Sequence, residues 1–170
     1  MALKIKDCSW RLNRMSSAIG KDISYKLGHG GTNPAGATPD VTLSGKRTFG
    51  CDCSGGIAWA SFLQRRPKKS RPFWIETTNI YRDATSGNPK STFVKISKPV
   101  PGCYVVYGDY RDARGRLRQG HIAIYGGTGK HGKGIWGVDC SVGGKGFKER
   151  NLQFFLSKKS IYCVLRQDLA

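Results

Sequence analysis

A short segment rich in glycine and cysteine leads directly into an apolar run, and this junction most constrains the fold. The segment is Gly50-Cys51-Asp52-Cys53-Ser54-Gly55, and the run that follows is Gly56-Ile57-Ala58-Trp59-Ala60. Apolar side chains lie nearly all round a helix over residues 53–63, so we predict a buried helix that begins at Cys53. The first N–H groups of a helix lack partners within it and carry the positive end of its dipole, so they favour a thiolate and can hold an oxyanion. Cys53 is therefore a candidate nucleophile.

A neighbouring thiol, Cys51, competes with Cys53 for this role. Cys51 still lies in the loop, whereas Cys53 stands at the helix start, so we assign the nucleophile to Cys53. A Cys-x-Cys pair also suits a metal, but no second Cys or His pair at zinc spacing accompanies it, so we expect neither a metal nor another cofactor. The chain has six cysteines, and we expect them to be mostly reduced, with four of them as small buried hydrophobes.

The remaining pattern predicts helices first and a sheet afterwards. Apolar residues from Ile5 to Ile19 recur with helical spacing, and Gly20 can end that helix. Glycine and proline are too dense over residues 28–50 for regular structure, so we predict a long loop there. Beyond Thr92, short runs rich in Val, Ile and Tyr predict strands at 93–96, 103–107, 121–125, 135–140 and 161–166. Residues 1–170 are expected to form one domain of the α+β class.

The net charge of +18 restricts partners more than it restricts the fold. A surface this basic attracts phosphates, anionic lipids or acidic polymers. The basic residues are spread over 64–71, 111–118, 130–133 and 145–150, and no zinc-finger, RRM-like or leucine-zipper pattern accompanies them. An anionic cell envelope suits this charge as well as nucleic acid does, and we expect no stable nucleic-acid complex. We interpret the charge run 64–71 as a solvated loop.

The N-terminal segment lacks the continuous apolar core of a signal peptide. No stretch approaches the roughly 18 uninterrupted apolar residues of a membrane-spanning helix. We therefore expect a monomer that is made in the cytosol and does not span a membrane.

A reactive thiol needs a base, and the chain has three histidines. His121 opens an apolar strand, while His29 and His131 lie among glycines, so His121 is the better preorganised partner. A purely structural strand histidine is the alternative. Asp139, on the next predicted strand, can accept the second imidazole N–H and stabilise an imidazolium. From spacing alone, a solvated aspartate at a strand end is an equal alternative for Asp139.

Three motifs occur in an order that is typical of one enzyme family. They are Asp52-Cys53-Ser54-Gly55 with its tryptophan-bearing helix, Pro101-Gly102-Cys103-Tyr104-Val105-Val106-Tyr107-Gly108, and Gly120-His121-Ile122-Ala123-Ile124-Tyr125. Together they resemble the NlpC-type cysteine peptidases of bacterial cell walls, which belong to the papain-like superfamily. The likeness covers residues 19–166 and implies a trimmed papain-like fold. In such a fold, N-terminal helices pack on an antiparallel sheet or small barrel of about five strands.

The resemblance implies roles for the matched residues. Cys53 becomes the nucleophile, His121 the general base and acid, and Asp139 the residue that orients His121. Family members often have histidine in the third position, and here the matching residue is aspartate. Cys103 replaces an acidic residue that commonly follows Pro-Gly, a difference that concerns local packing.

The oxyanion and substrate site is also implied by this likeness. The segment Ile23-Ser24-Tyr25-Lys26-Leu27-Gly28 looks like the family's Tyr-x-x-Gly segment and puts Tyr25 near the oxyanion. Asp52 and Ser54, from the turn that carries Cys53, are expected at the same site.

The implied substrate is the stem peptide of peptidoglycan (murein), cleaved at an amide bond for bacterial lysis. A basic, one-domain enzyme of this kind resembles a bacteriophage endolysin, which acts in the periplasm or cell wall after release or delivery. Virion-associated lysins and secretion-system effector amidases stay open, as do an N-acetylmuramoyl-L-alanine amidase and acyl transfer by the same Cys-His chemistry. Outside enzymes, the alternative is a basic nucleic-acid-binding module in which Cys53 and His121 are core residues.

Overall fold

A computed structural model describes residues 4–132 and 134–170 of the chain. Met1 to Leu3 and Lys133, which belong to the N-terminal and basic segments considered above, lie outside the described residues. The described residues form three α-helices, two 3₁₀ helices and ten strands. The helices are α1 (Ser9–Ser16), α2 (Cys53–Ala60) and α3 (Thr77–Thr85), with 3₁₀ helices at Gln153–Ser157 and Arg166–Asp168. The strands are β1 (Ser24–Tyr25), β2 (Gly50–Cys51), β3 (Phe93–Ile96), β4 (Tyr104–Tyr107), β5 (Tyr110–Arg111), β6 (Leu117–Arg118), β7 (His121–Thr128), β8 (Ile135–Ser141), β9 (Gly146–Asn151) and β10 (Ile161–Leu165).

A six-stranded sheet in the order β3-β10-β4-β7-β8-β9 forms the centre of the fold, and each neighbouring pair in it is antiparallel. The three helices pack on one face of the sheet, while the Gln153–Ser157 helix and segments near both chain ends cover the other. The predicted α+β class is confirmed. The sheet has six strands rather than about five, because β9 is an additional edge strand.

The strand β9 and the helix α3 were not predicted from the sequence, for separate reasons. The strand β9 carries three successive charged residues, a composition that an edge strand tolerates because its side chains can reach water. The helix α3 lacks strong helix formers in its first turn and gains its stability from burying Ile80 and Ala84. The long predicted loop over residues 28–50 is confirmed, with regular structure resuming only at Gly50.

The helix α2 is buried along its whole length, as predicted. Its glycines allow close packing, since a Cβ on Gly56 would lie 2.8 Å from side-chain atoms of both Met15 and Phe147. The helix ends at Ala60 rather than near Leu63, because the chain turns at Phe62, which adopts a left-handed φ of 54°. The thiol of Cys53 thus begins a helix that the core holds on every side.

The first helix is shorter than the apolar spacing from Ile5 to Ile19 predicts. The Asp7 carboxylate accepts a hydrogen bond from the Ser9 N–H at 2.8 Å, and α1 begins there. Ile5 instead forms an isolated β-bridge with Leu169, and Ile19 lies beyond the helix with 38% of its surface exposed. Only the central part of the periodic segment is therefore helical.

The interpretation of residues 64–71 as a solvated loop is wrong for two of its arginines. Arg65 and Arg71 are buried, with 4% and 6% of their surfaces exposed. Arg71 donates hydrogen bonds to the backbone carbonyls of Gln64, Arg66 and Phe73 and so holds the loop together. Burial of these guanidinium groups is possible because carbonyl and carboxylate oxygens surround them.

No helix among the described residues is long and apolar enough to cross a lipid bilayer.

A buried ion pair ties the two ends of the chain together. The Arg11 guanidinium donates to both carboxylate oxygens of Asp168 at 2.7 and 2.6 Å, and Asp168 also accepts from the Leu165 N–H. The Arg11 side chain is fully buried, so removal of Asp168 leaves an uncompensated charge in the core.

We therefore expect Asp168→Ala to lower the free energy of unfolding by about 3 kcal/mol or more. The double variant Arg11→Met/Asp168→Ala is expected to be less destabilised, because the buried charge is gone. Urea unfolding followed by circular dichroism measures both values. A double variant that is less stable than Asp168→Ala would contradict this account.

Candidate active site

The carboxylate of Asp52 fixes the start of α2. Its Oδ1 accepts hydrogen bonds from the Gly55 N–H at 2.7 Å and the Ser54 hydroxyl at 3.2 Å. Its Oδ2 accepts from the Gly28 N–H at 2.7 Å and from Arg65 at 2.6 Å. Asp52 is therefore the N-cap that the helix requires, and its second oxygen anchors the preceding loop.

The side chain of Arg65 joins the loop that contains His29 and Gly30 to the start of α2. Besides Asp52, it donates to the carbonyls of His29 at 2.6 Å and Gly30 at 3.0 Å, and to the Ser54 hydroxyl at 3.1 Å. Gly30 has a φ of +83°, and a Cβ there would lie 2.2 Å from the Cys51 sulfur, so only glycine fits. These contacts hold Cys53 and its backbone N–H in a set position.

The imidazole of His121 lies against a buried carboxylate. His121 is the first residue of β7 and Asp139 lies on the paired strand β8, with 2.7 Å between Nε2 and Oδ2. The Asp139 side chain is fully buried, so the alternative of a solvated strand-end aspartate is wrong. The rings of Phe154 and Phe155 lie on one side of the imidazole, with centroid distances of 6.3 and 5.5 Å. Because Nε2 is engaged, Nδ1 is the ring nitrogen left to exchange a proton with a thiol.

The electrostatics of His121 connect it to Cys53. Burial by itself lowers the pKa of His121, but the charge of Cys53, a hydrogen bond to Asp139 and one to Cys53 raise it to about 10. Gly120, which precedes His121, lines the same cavity as Cys53, so the thiol at the start of α2 and the first residue of β7 lie at one site. The structure brings together all three residues that the sequence singled out as a catalytic set.

Arg150 is a member of this cluster that the sequence analysis missed. Its Nε lies 3.0 Å from both oxygens of Asp139, its Nη2 donates to Oδ2, and its guanidinium lies 5.0 Å from the Phe154 ring centroid. Burial works against ionisation of Asp139, but hydrogen bonds from His121 and Arg150 hold the pKa of its carboxyl below the usual range. The sequence carried one signal for such a cation. Asp139 lies within an apolar strand, and a buried carboxylate requires a cation nearby.

The competing thiol, Cys51, is poorly suited to attack. It is fully buried, and burial together with Cys140 raises its pKa well above the ordinary value. Cys53 is the most exposed of the six cysteines, at 6%, and all six are free thiols. This difference in accessibility favours Cys53 over Cys51.

A cavity of about 290 Å³ opens beside Cys53, and Tyr25, Asp52 and Ser54 all contribute to its lining. Burial, followed by the charges of Cys53 and Asp52, raises the pKa of Tyr25 to about 12, so its hydroxyl keeps its proton. The polar side-chain atoms of Asp52 and Ser54 are taken up by the helix cap and Arg65. The backbone N–H groups of Cys53 and Ser54, which form no hydrogen bonds within the described part of the chain, are better oxyanion donors than those side chains.

Comparisons of the sequence and of the fold with known proteins found no match. The sequence matches no protein-family model and no curated protein, and the fold matches no solved structure. Within residues 4–132 and 134–170, no group of three or more His, Cys, Asp or Glu side chains is placed to hold a metal ion.

The accessibility and surroundings of Cys53 predict selective alkylation. With iodoacetamide at pH 6.5, we expect Cys53 to react at least about tenfold faster than Cys163, since fully buried thiols are inert. Peptide mass mapping over time measures both rates, and a His121→Gln variant isolates the contribution of the imidazole. Equal rates at Cys53 and Cys163 would exclude an activated thiol.

The raised pKa of His121 predicts its titration. In the wild-type protein we expect the ring to stay protonated until about pH 10, and the pKa to fall in Cys53→Ala and in Asp139→Asn, which each remove a negative partner. Because the folded-state pKa exceeds the ordinary value of 6.5, this imidazolium stabilises the fold below about pH 6.5, and the contribution is lost as the pH rises through about 10. Ring NMR shifts measured against pH give the pKa. An unchanged His121 pKa in both variants would show that the electrostatic link is absent.

Proposed function

We propose that the chain is a cysteine peptidase of the NlpC type, with a trimmed papain-like fold, that cleaves stem-peptide amide bonds of murein. The observation that carries this proposal is that a helix-start thiol, Cys53, shares a cavity with the start of the strand whose imidazole, His121, is held by a buried carboxylate. A thiol, a base and an orienting group within hydrogen-bond reach form the usual signature of nucleophilic catalysis.

The proposed reaction begins with a thiolate and an imidazolium. The Cys53 sulfur attacks the carbonyl carbon of the scissile amide, and the N–H groups at the start of α2 stabilise the oxyanion. His121 protonates the leaving nitrogen, the C–N bond breaks, and a thioester remains on Cys53. His121 then takes a proton from water, and the resulting hydroxide attacks the thioester carbonyl. The C–S bond breaks, the acid product departs, and Cys53 is again a thiolate beside a protonated His121.

Asp139 and Arg150 support this cycle without touching substrate. The carboxylate holds the Nε2–H of His121 and stabilises the imidazolium, as the third member of a triad does. Arg150 keeps the carboxylate charged and prevents it from turning away. The cluster therefore acts through the orientation and charge of His121.

The substrate class follows from the motifs and from charge. The ordered Cys, Pro-Gly and His motifs resemble cell-wall peptidases, and a net charge of +18 suits an enzyme that works against an anionic envelope. A bacteriophage endolysin-like role in host-cell lysis, at the cell wall, fits both properties. An amidase that cuts the sugar–peptide bond uses the same site chemistry, so the identity of the bond is left to product analysis.

The test is digestion of purified murein by wild type and Cys53→Ala. We expect wild type to clear a sacculus suspension and Cys53→Ala to lose at least about 10³-fold of that rate, since removal of a nucleophile ends covalent catalysis. Mass spectrometry of the products distinguishes new amino groups within stem peptides from those released at muramic acid. Circular dichroism of Cys53→Ala checks that the fold is intact.

Two outcomes would overturn the proposal. Clearing that is unchanged in a folded Cys53→Ala variant would exclude a thiol enzyme. Absence of any clearing, together with tight salt-sensitive binding of duplex DNA or RNA, would favour the nucleic-acid-binding alternative.

A further inference from the structure

A second and larger cavity lies next to the candidate active site. It is a groove of about 800 Å³, bounded by α3, by β5 and by the segment that follows the Gln153–Ser157 helix. Its volume lies in the range of small-molecule and peptide sites. The mechanism proposed above uses none of the residues in it.

The groove adjoins the cavity beside Cys53. Asp109 lines both cavities, and neighbouring residues of α3, Thr77 and Thr78, line one each. Tyr107, which lines the groove, is paired with His121 in the β4–β7 register. A chain bound with its amide at Cys53 can therefore extend past His121 into this groove.

Four cations line the groove and have no acidic partner. Within the described residues, none of Arg82, Arg111, Lys158 and Lys159 forms an ion pair. Arg111 donates to the Gly115 carbonyl at 2.8 Å, which leaves its charge uncompensated.

Two acidic residues also line the groove, and one of them is already neutralised. The Asp112 carboxylate accepts hydrogen bonds from the side chains of Arg116 at 3.0 Å and Arg118 at 2.9 Å. One oxygen of Asp109 accepts from the Gly120 N–H at 2.7 Å, so this carboxylate is tied into the wall between the cavities. The groove therefore keeps an excess of positive charge.

Aromatic side chains accompany these cations. Tyr81, Tyr107 and Tyr110 contribute to the lining, and the Lys158 ammonium lies 4.3 Å from the centroid of the Tyr110 ring. A cation that rests on an aromatic ring keeps its charge available to an anion that binds from the open side. The combination suits an extended chain that carries carboxylates.

We propose that this groove, defined by Arg82, Arg111, Lys158 and Lys159, binds carboxylate groups of the murein peptide outside the scissile bond. The inference rests on the proposed function, since it takes the chain in the groove to be the one that Cys53 cleaves. Because the groove adjoins the Cys53 cavity at Asp109, the peptide is favoured over a separate phosphate polymer of the wall.

The kinetic test compares two double variants of equal charge. Arg82→Gln/Lys159→Gln removes two exposed cations from the groove, whereas Lys21→Gln/Lys98→Gln removes two exposed cations that line neither cavity. On soluble murein peptides with free carboxylates, we expect the groove variant to raise KM at least about fivefold with kcat nearly unchanged, because uniform binding is lost. The control variant is expected to match wild type. After the carboxylates have been converted to amides with carbodiimide and ammonia, all three proteins are expected to show the same KM.

A sedimentation assay distinguishes the two sources of anionic groups, peptide carboxylates and phosphate polymers of the wall. Cys53→Ala, with and without the groove substitutions, is sedimented with sacculi that still carry phosphate polymers and with sacculi stripped of them by hydrofluoric acid. A binding difference that persists after stripping supports the peptide carboxylates. One that disappears after stripping assigns the groove to phosphate and overturns the proposal.

The two proposals fail in different ways. Cleavage that depends on Cys53, with equal KM in the groove and control variants, overturns the groove alone. Absence of cleavage by wild type overturns the proposed function, whatever the sedimentation result.

Discussion

The carboxylate of Asp52 is the interaction on which the rest of the site depends. One oxygen caps α2, and the other binds both the Gly28 N–H and the guanidinium of Arg65. The buried carboxylate of Asp52 is tolerated because both of its oxygens accept hydrogen bonds and one of the donors, Arg65, is a cation. The same ion pair therefore sets the helix start, closes the preceding loop and places the Cys53 thiol where the helix dipole acts on it.

A second buried carboxylate, that of Asp139, holds the polar side chains of the sheet in place. Asp139 binds His121 on β7 and Arg150 on β9, so three neighbouring strands contribute to one polar cluster. The antiparallel registers fix these residues far more rigidly than loops can. The arrangement also explains why charge is distributed unevenly. Arg65 is buried and Arg150 is partly buried where they hold Asp52 and Asp139 in place, while the four cations of the neighbouring groove form no ion pair within the described residues.

The sequence predicts elements well where local pattern and tertiary demand agree. Strand β3 has the predicted bounds, and α2 is buried throughout because its residues are small or apolar on every side. Prediction fails where a distant partner decides. Ile5 continues a helical apolar spacing, yet it pairs with Leu169 at the other end of the chain. The charged strand β9 forms because β8 offers it a full ladder of hydrogen bonds.

The sequence by itself determined the α+β class and the helix that begins at Cys53, and it favoured His121 as the partner of that thiol. These follow from local composition and from the chemistry that a thiol requires. Spacing alone left Asp139 open between an orienting residue and a solvated one. Only the tertiary structure decided that Arg65 is a buried counter-charge and Arg150 a partly buried one, that Asp52 is committed to the cap, and that a cationic groove adjoins the cavity beside the thiol. The physical reason is that a charged side chain carries no local signal of its burial, which depends on the oxygens that distant segments bring to it.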